Sequence, residues 1–144
     1  MKFKDGAIAK DITPTAINYS AIGAASGGLI ARTSALVKWY WLLFHNKIMP
    51  KAQFPDMLKG VTTADPNKKY GLAVVVQKTK PYGMIYSHDG DVFGYDANLI
   101  YVPKLNLILS VAVNTSTDAI SPTTTHIVGS FLKTFLNYRE SKNG

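Results

Sequence analysis

Apolar and polar positions change period along this chain, and those changes divide it. From Thr33 to about His45 the apolar residues Leu36, Val37, Tyr40, Trp41 and Phe44 recur at helical intervals. Thr33 or Ser34 stands where an N-cap belongs. Pro50 sits where a second, shorter helix starts, with Phe54, Met57 and Leu58 on one side. A loop from about Gly60 to Lys69, containing Asp65-Pro66-Asn67, separates this part from strands. Tyr70 to Gln77 is continuous and β-branched, which predicts a central strand. Tyr82 to His88 predicts a second, in which Met84, Tyr86 and His88 share one face and Ile85 and Ser87 the other. Tyr95 to Val102 is a third, Pro103-Lys104-Leu105-Asn106 a turn, and Leu107 to Val113 a fourth. Connections this short require antiparallel neighbours. Ser121-Pro122, an N-cap with proline at the first helical position, opens a last helix. Its residues Ile127, Val128, Phe131, Leu132, Phe135 and Leu136 form an apolar stripe that must lie on the sheet.

The predicted class is therefore α+β. Residues 1–144 form one domain, with an irregular lead-in over 1–25, a helical part over 33–59, a meander of about four antiparallel strands over 70–114, and a covering helix over 121–140. A chain of 144 residues suffices to bury a real core. The small residues Ala24-Ala25-Ser26-Gly27-Gly28 are expected to let backbone approach backbone. The lead-in reads as the cut end of something longer.

Composition narrows the function classes. An apolar content of 47% with 17% charged residues argues against disorder. The absence of cysteine excludes disulfides and thiolate metal sites. The longest apolar run, Ala35 to Phe44, is interrupted by Lys38 and is about half the length of a membrane span. Met1-Lys2-Phe3-Lys4-Asp5-Gly6 lacks the apolar core of a signal peptide, so any export signal would lie outside this chain. The net charge of +7 comes from dispersed lysines, of which only Lys68 and Lys69 are adjacent, and from just two arginines. No nucleic-acid surface is expected from that pattern. It suits a solvated basic surface facing anionic envelopes or substrates.

Chemistry concentrates in Tyr86-Ser87-His88-Asp89-Gly90-Asp91-Val92-Phe93-Gly94-Tyr95, between two strand runs. A strand-end histidine can be no more than a hydrogen-bonded surface residue, so the stretch needs context. Asp89, Asp91 and Asp96 do not match the twelve-residue calcium loop with its terminal glutamate and read as solvated turn acids. Asn114 reads as capping a turn. His45, His88 and His126 are far apart and form no recognisable ligand pair, so no metal and no cofactor are predicted.

Context comes from the order of motifs. Ala24-Ala25-Ser26-Gly27-Gly28-Leu29-Ile30-Ala31-Arg32-Thr33, then Tyr70-Gly71-Leu72, then His88-Asp89-Gly90 with Gly94-Tyr95, then Tyr101-Val102-Pro103 and a strand ending at Asn114, resembles the serine β-lactamase-like hydrolases. These include class C β-lactamases, DD-peptidases and related esterases, and the likeness spans roughly residues 10 to 140. The resemblance implies part of the penicillin-recognising fold and acyl-enzyme chemistry on a small-molecule or peptide substrate. It implies that His88 binds a substrate carboxylate or eases proton transfer, that Gly90 leaves room along the strand, and that the backbone N–H of Asp91 is one oxyanion donor. Asp89, Gly94 and Tyr95 would line the substrate. It also suggests an exported or periplasmic location.

The sequence departs from the family in what comes earlier. No Ser-x-x-Lys precedes His88. Ser130-Phe131-Leu132-Lys133 has that spacing but follows it, mid-helix, with Phe131 and Leu132 on the core stripe. Tyr95-Asp96-Ala97-Asn98 is one residue too long for Tyr-x-Asn, and Leu36 replaces the acid of the first helix's capping box. The expectation is the C-terminal half of a serine hydrolase, inactive alone, whose partner is the missing N-terminal half. The alternative is a non-catalytic binding module for a cell-wall or protein partner. Either way, a bare sheet edge and face would favour self-association.

Overall fold

In the computed structural model, which describes residues 23–92, 94–114 and 124–143, six strands lie in sequence order and every neighbouring pair is antiparallel. Helix α1 (Thr33–Phe44) and helix α2 (Phe54–Lys59) come first. Strands β1 (Val61–Thr62), β2 (Lys68–Tyr70), β3 (Val75–Thr79), β4 (Gly83–Val92), β5 (Tyr95–Val102) and β6 (Leu107–Val113) follow. Helix α3 (Thr124–Asn143) closes the chain. The α+β class stands, with six strands where about four are legible in the pattern.

The two additional strands have different origins: β1 and the start of β2 form a short hairpin within the stretch expected as a loop from about Gly60 to Lys69, and β2 is separated from β3 by a break. Tyr70 to Gln77 does not run as a single strand: the chain leaves the sheet after Tyr70 and re-enters at Val75. Between them Gly71 donates its N–H to the carbonyl of Val74 at 2.7 Å, Leu72 donates to the carbonyl of Met57 at 2.9 Å, and Ala73 takes φ +54°. A side chain at Gly71 would strike the Met57 carbonyl, so the missing Cβ is what lets this turn press against α2. Val74 is 1% exposed although it lies outside the strands, which is why the β-branched run conceals the break.

Register sorts the side chains into two layers. Ile100 faces Leu109 across the ladder and Val102 faces Leu107. With Ile85 and Leu105 they form a core against Val128 and Leu132 of α3. The opposite face carries Tyr86 opposite Tyr101, and Phe44 of α1 sets its ring 4.9 Å from each. Helix α1 packs over β5 and β6 there, so these two strands are covered on both faces.

Several local expectations shift. Arg32, not Thr33 or Ser34, is the N-cap residue of α1, and it makes no side-chain cap bond. A Cβ on Gly27 would meet nothing within 4 Å, so the small-residue stretch brings no close backbone approach at that glycine. Phe131 is 43% exposed and stacks on Phe135 rather than joining the core. The lead-in before Gly23 and the Ser121-Pro122 cap lie outside the described residues. At the described start of α3, Thr124 meets the carboxylate of Asp96. That half-buried aspartate caps a helix instead of sitting in solvent.

Candidate active-site strand

Strand β4 is the longest in the sheet, and its two halves have different neighbours. Its pairing with β3 ends where Ser87 faces Val75. The remaining residues, His88 to Val92, are held by β5 alone among the described strands, with His88 opposite Leu99, Gly90 opposite Ala97 and Asp91 opposite Asp96. The Ser-His-Asp-Gly stretch thus projects beyond β3 along β5, which β6 backs on its other side.

His88 is half-buried and its Nε2 lies 2.9 Å from the hydroxyl of Tyr70, with ring centroids 6.0 Å apart. Strict alternation would place Tyr70 in line with Val75 and Ser87, on the face opposite His88. Tyr70 escapes that constraint because β2 ends on it and β3 starts only at Val75, so the phenol reaches past the strand end. A hydroxyl on one ring nitrogen orients the imidazole and settles its tautomer by which partner donates. The pair can hold a proton or pass it through two adjoining heteroatoms.

Tyr70 also belongs to a hollow. Together with Asp56, Lys59, Gly60, Val61, Gly71 and Leu72 it lines an open pocket of about 470 Å³. Gly60 takes φ +57° and a Cβ on it would approach the Tyr70 carbonyl to 2.9 Å, so a side chain there would disturb the wall that carries the tyrosine. Strand pattern alone missed the Tyr70–His88 pair. Its signal was the tyrosine that opens Tyr70-Gly71-Leu72, present in the sequence without a role.

Of the other candidates, Asp89, Gly90 and Asp91 are exposed on the projecting end of β4. A Cβ at Gly90 would meet open space, so packing does not require that glycine. Gly94, at φ +84°, turns the chain from β4 into β5, and Tyr95 is the half-buried first residue of β5. Phe93 lies outside the described residues. Ser130 and Lys133 are exposed on α3, whose packing face meets Ile100 and Val102, on the other side of the sheet from His88. The structure does not bring that serine to the histidine. His45 stacks on Trp41 at 4.4 Å, and among the described residues no three metal-ligating side chains converge. Behind the site, burial and then the neighbouring Tyr101 phenol push the Tyr86 phenol above its ordinary range.

No family profile matches this chain, and no curated protein matches it. Among solved structures it is similar to a penicillin binding protein from Bacillus halodurans, with a TM-score of 0.53 and 17% sequence identity. The superposition covers 59% of this chain and 26% of that one, so the chain corresponds to about a quarter of that structure. At such identity the likeness is one of fold.

Proposed function

We propose that this chain is the sheet-bearing part of a β-lactamase-like serine hydrolase, and that His88-Asp89-Gly90 forms one wall of its active site. The observation that carries this reading is the end of β4 running past β3, with His88 held by Tyr70. A carbonyl substrate lying along that end would meet the backbone N–H of Asp91 as one oxyanion donor. Gly90 would leave it room, His88 would bind its carboxylate or ease proton transfer, and Asp89, Gly94 and Tyr95 would line it. The substrate class is a peptide, ester or lactam carbonyl, attacked to form an acyl-enzyme.

The nucleophile belongs to a Ser-x-x-Lys supplied from outside this sequence, together with a Tyr-x-Asn, so the chain alone performs no acylation. The likeness in fold to a penicillin binding protein supports this reading. So does bare apolar surface: Leu29 is 94% exposed, Ile30 92%, and Val61 and Leu72 70% each. More of the fold would cover such side chains. The basic surface suits an anionic envelope outside the cytoplasm. A second reading, a non-catalytic module binding a cell-wall or protein partner, draws on the placement of Ser130 across the sheet from His88.

Intact mass after incubation with a fluorophosphonate, and separately with a penicillin, separates the two. The folded chain alone should take up no adduct. Joined to a segment that carries Ser-x-x-Lys and Tyr-x-Asn ahead of it, it should support acylation of that serine, and His88→Ala should slow the reaction by about tenfold or more. An adduct on a serine of this chain alone overturns the proposal. Acylation indifferent to His88→Ala removes His88 from the site, and a joined, folded protein that takes up no adduct favours the binding module.

A further inference from the structure

Tyr70 is set in place by unusual backbone on both sides. Gly60 takes φ +57°, and a Cβ on it would come within 2.9 Å of the Tyr70 carbonyl. Just past Tyr70, Gly71 donates to the Val74 carbonyl and Ala73 takes φ +54°, a conformation disfavoured for any residue with a Cβ. Packing of the ring does not account for this, since Tyr70 is 44% exposed. What the arrangement secures is one polar contact, the phenol hydroxyl 2.9 Å from Nε2 of His88. Backbone strain of this kind persists where the surroundings over-determine it, and it clusters at functional sites.

We propose that Tyr70 is a positioning residue that makes His88 a hydrogen-bond donor toward substrate and bars it from acting there as a base. A phenol O–H is a better donor than an imidazole N–H, and an imidazole nitrogen is a better acceptor than a phenol oxygen. The hydroxyl therefore donates to Nε2, which holds the proton of the neutral ring on Nδ1. Among the described residues no hydrogen bond engages Nδ1. With Nε2 occupied, Nδ1–H is the group that a bound molecule meets, and it fits an oxygen acceptor, a carboxylate or a carbonyl. The net charge of +7 favours the carboxylate of the two. The other tautomer, with Nε2–H donating to the phenol oxygen, would offer a bare Nδ1 as a base instead. The step from tautomer to substrate rests on the active-site reading above, whereas the tautomer itself does not.

Nitrogen-15 labelling of the histidines tests the tautomer in this chain by itself. At about pH 8.5, where an ordinary imidazole is neutral, long-range proton–nitrogen correlations should show the His88 proton on Nδ1. Tyr70→Phe, its fold checked by circular dichroism, should shift the ring severalfold toward the Nε2–H form that histidine prefers in water. A His88 proton on Nε2 in the parent overturns the proposal, as does an unchanged tautomer in the variant. In the joined protein, His88→Asn and His88→Gln set an amide donor near the places of Nδ1 and Nε2 respectively. Both should acylate more slowly than the parent, and the glutamine variant about tenfold more slowly than the asparagine one. The reverse order overturns the donor role. A joined protein that takes up no adduct strikes the active-site reading, and the spectra still decide the tautomer.

Discussion

The carboxylate of Asp96, on β5, receives the backbone N–H of Thr124 at 2.9 Å and lies 2.9 Å from the Thr124 hydroxyl, which is buried with its residue 1% exposed. A residue 28 positions away in sequence thereby caps the described start of α3 and ties the last helix to β5. Nothing in the helix's own first turn is acidic.

Asp96→Ala should therefore destabilise the protein by about 1–3 kcal/mol, the loss of a helix cap plus a buried hydroxyl left without its acceptor. Asp96→Asn, which keeps an acceptor oxygen, should lose less. Urea denaturation of the three proteins measures both differences, and an alanine variant as stable as the parent would refute the cap.

Tyr40 is 4% exposed on α1 and its hydroxyl has no hydrogen-bond partner among the described residues. Removing that hydroxyl removes an uncompensated desolvation, so Tyr40→Phe should be neutral or more stable by about 1 kcal/mol. Thermal and urea unfolding check this, and a clear loss would show that a partner has been overlooked.

The same burial pushes the Tyr40 phenol well above its ordinary value, and burial with Tyr101 does so for Tyr86. Folded tyrosines then keep their protons when unfolded ones release them near pH 10. Stability should be insensitive to these groups below about pH 10 and fall above it, by at most about 1.4 kcal/mol per pH unit from Tyr40. Tyr40→Phe should flatten that decline, which denaturation at several alkaline pH values would reveal.

Gly71→Ala places a methyl group against the Met57 carbonyl, which is backbone and has little freedom to move. A loss of about 2 kcal/mol or more is expected from this overpacking, together with disturbance of the Leu72–Met57 hydrogen bond. Hydrogen exchange at the Leu72 amide should accelerate in the variant. Unchanged protection there would mean that the turn adjusts without cost.

Tyr70→Phe should leave global stability within about 0.5 kcal/mol, since the hydroxyl serves a surface hydrogen bond. It should, however, change the tautomer balance of His88, whose Nε2 loses its partner. Long-range proton–nitrogen NMR correlations of the imidazole read this directly. Identical ring spectra in parent and variant would remove Tyr70 from the site.

Periodicity alone placed α1, β5, β6 and α3 closely, and it placed Met84, Tyr86 and His88 on one face of β4. These are properties of the local chain: a helix repeats every 3.6 residues and a strand every two, so burial leaves its mark on neighbouring letters. The pattern ended that strand at His88, whereas β4 continues to Val92, because pairing with β5 carries the polar Asp89-Gly90-Asp91 stretch on as strand. Other features depended on contacts that no local pattern encodes. Gly71 breaks an apparently continuous strand because Met57 lies against it, and Val74 stays apolar because it is buried all the same. Tyr70 reaches His88, 18 residues on, only because β2 and β3 stop where they do. Asp96 looks like any turn aspartate until α3 folds back over β5. The amino-acid pattern by itself determined the longer elements and the side of the sheet that carries the histidine, but not the short strands β1 and β2. The tertiary structure decided the polar partners, because a hydrogen bond between distant residues depends on how whole elements pack and leaves no period in the sequence.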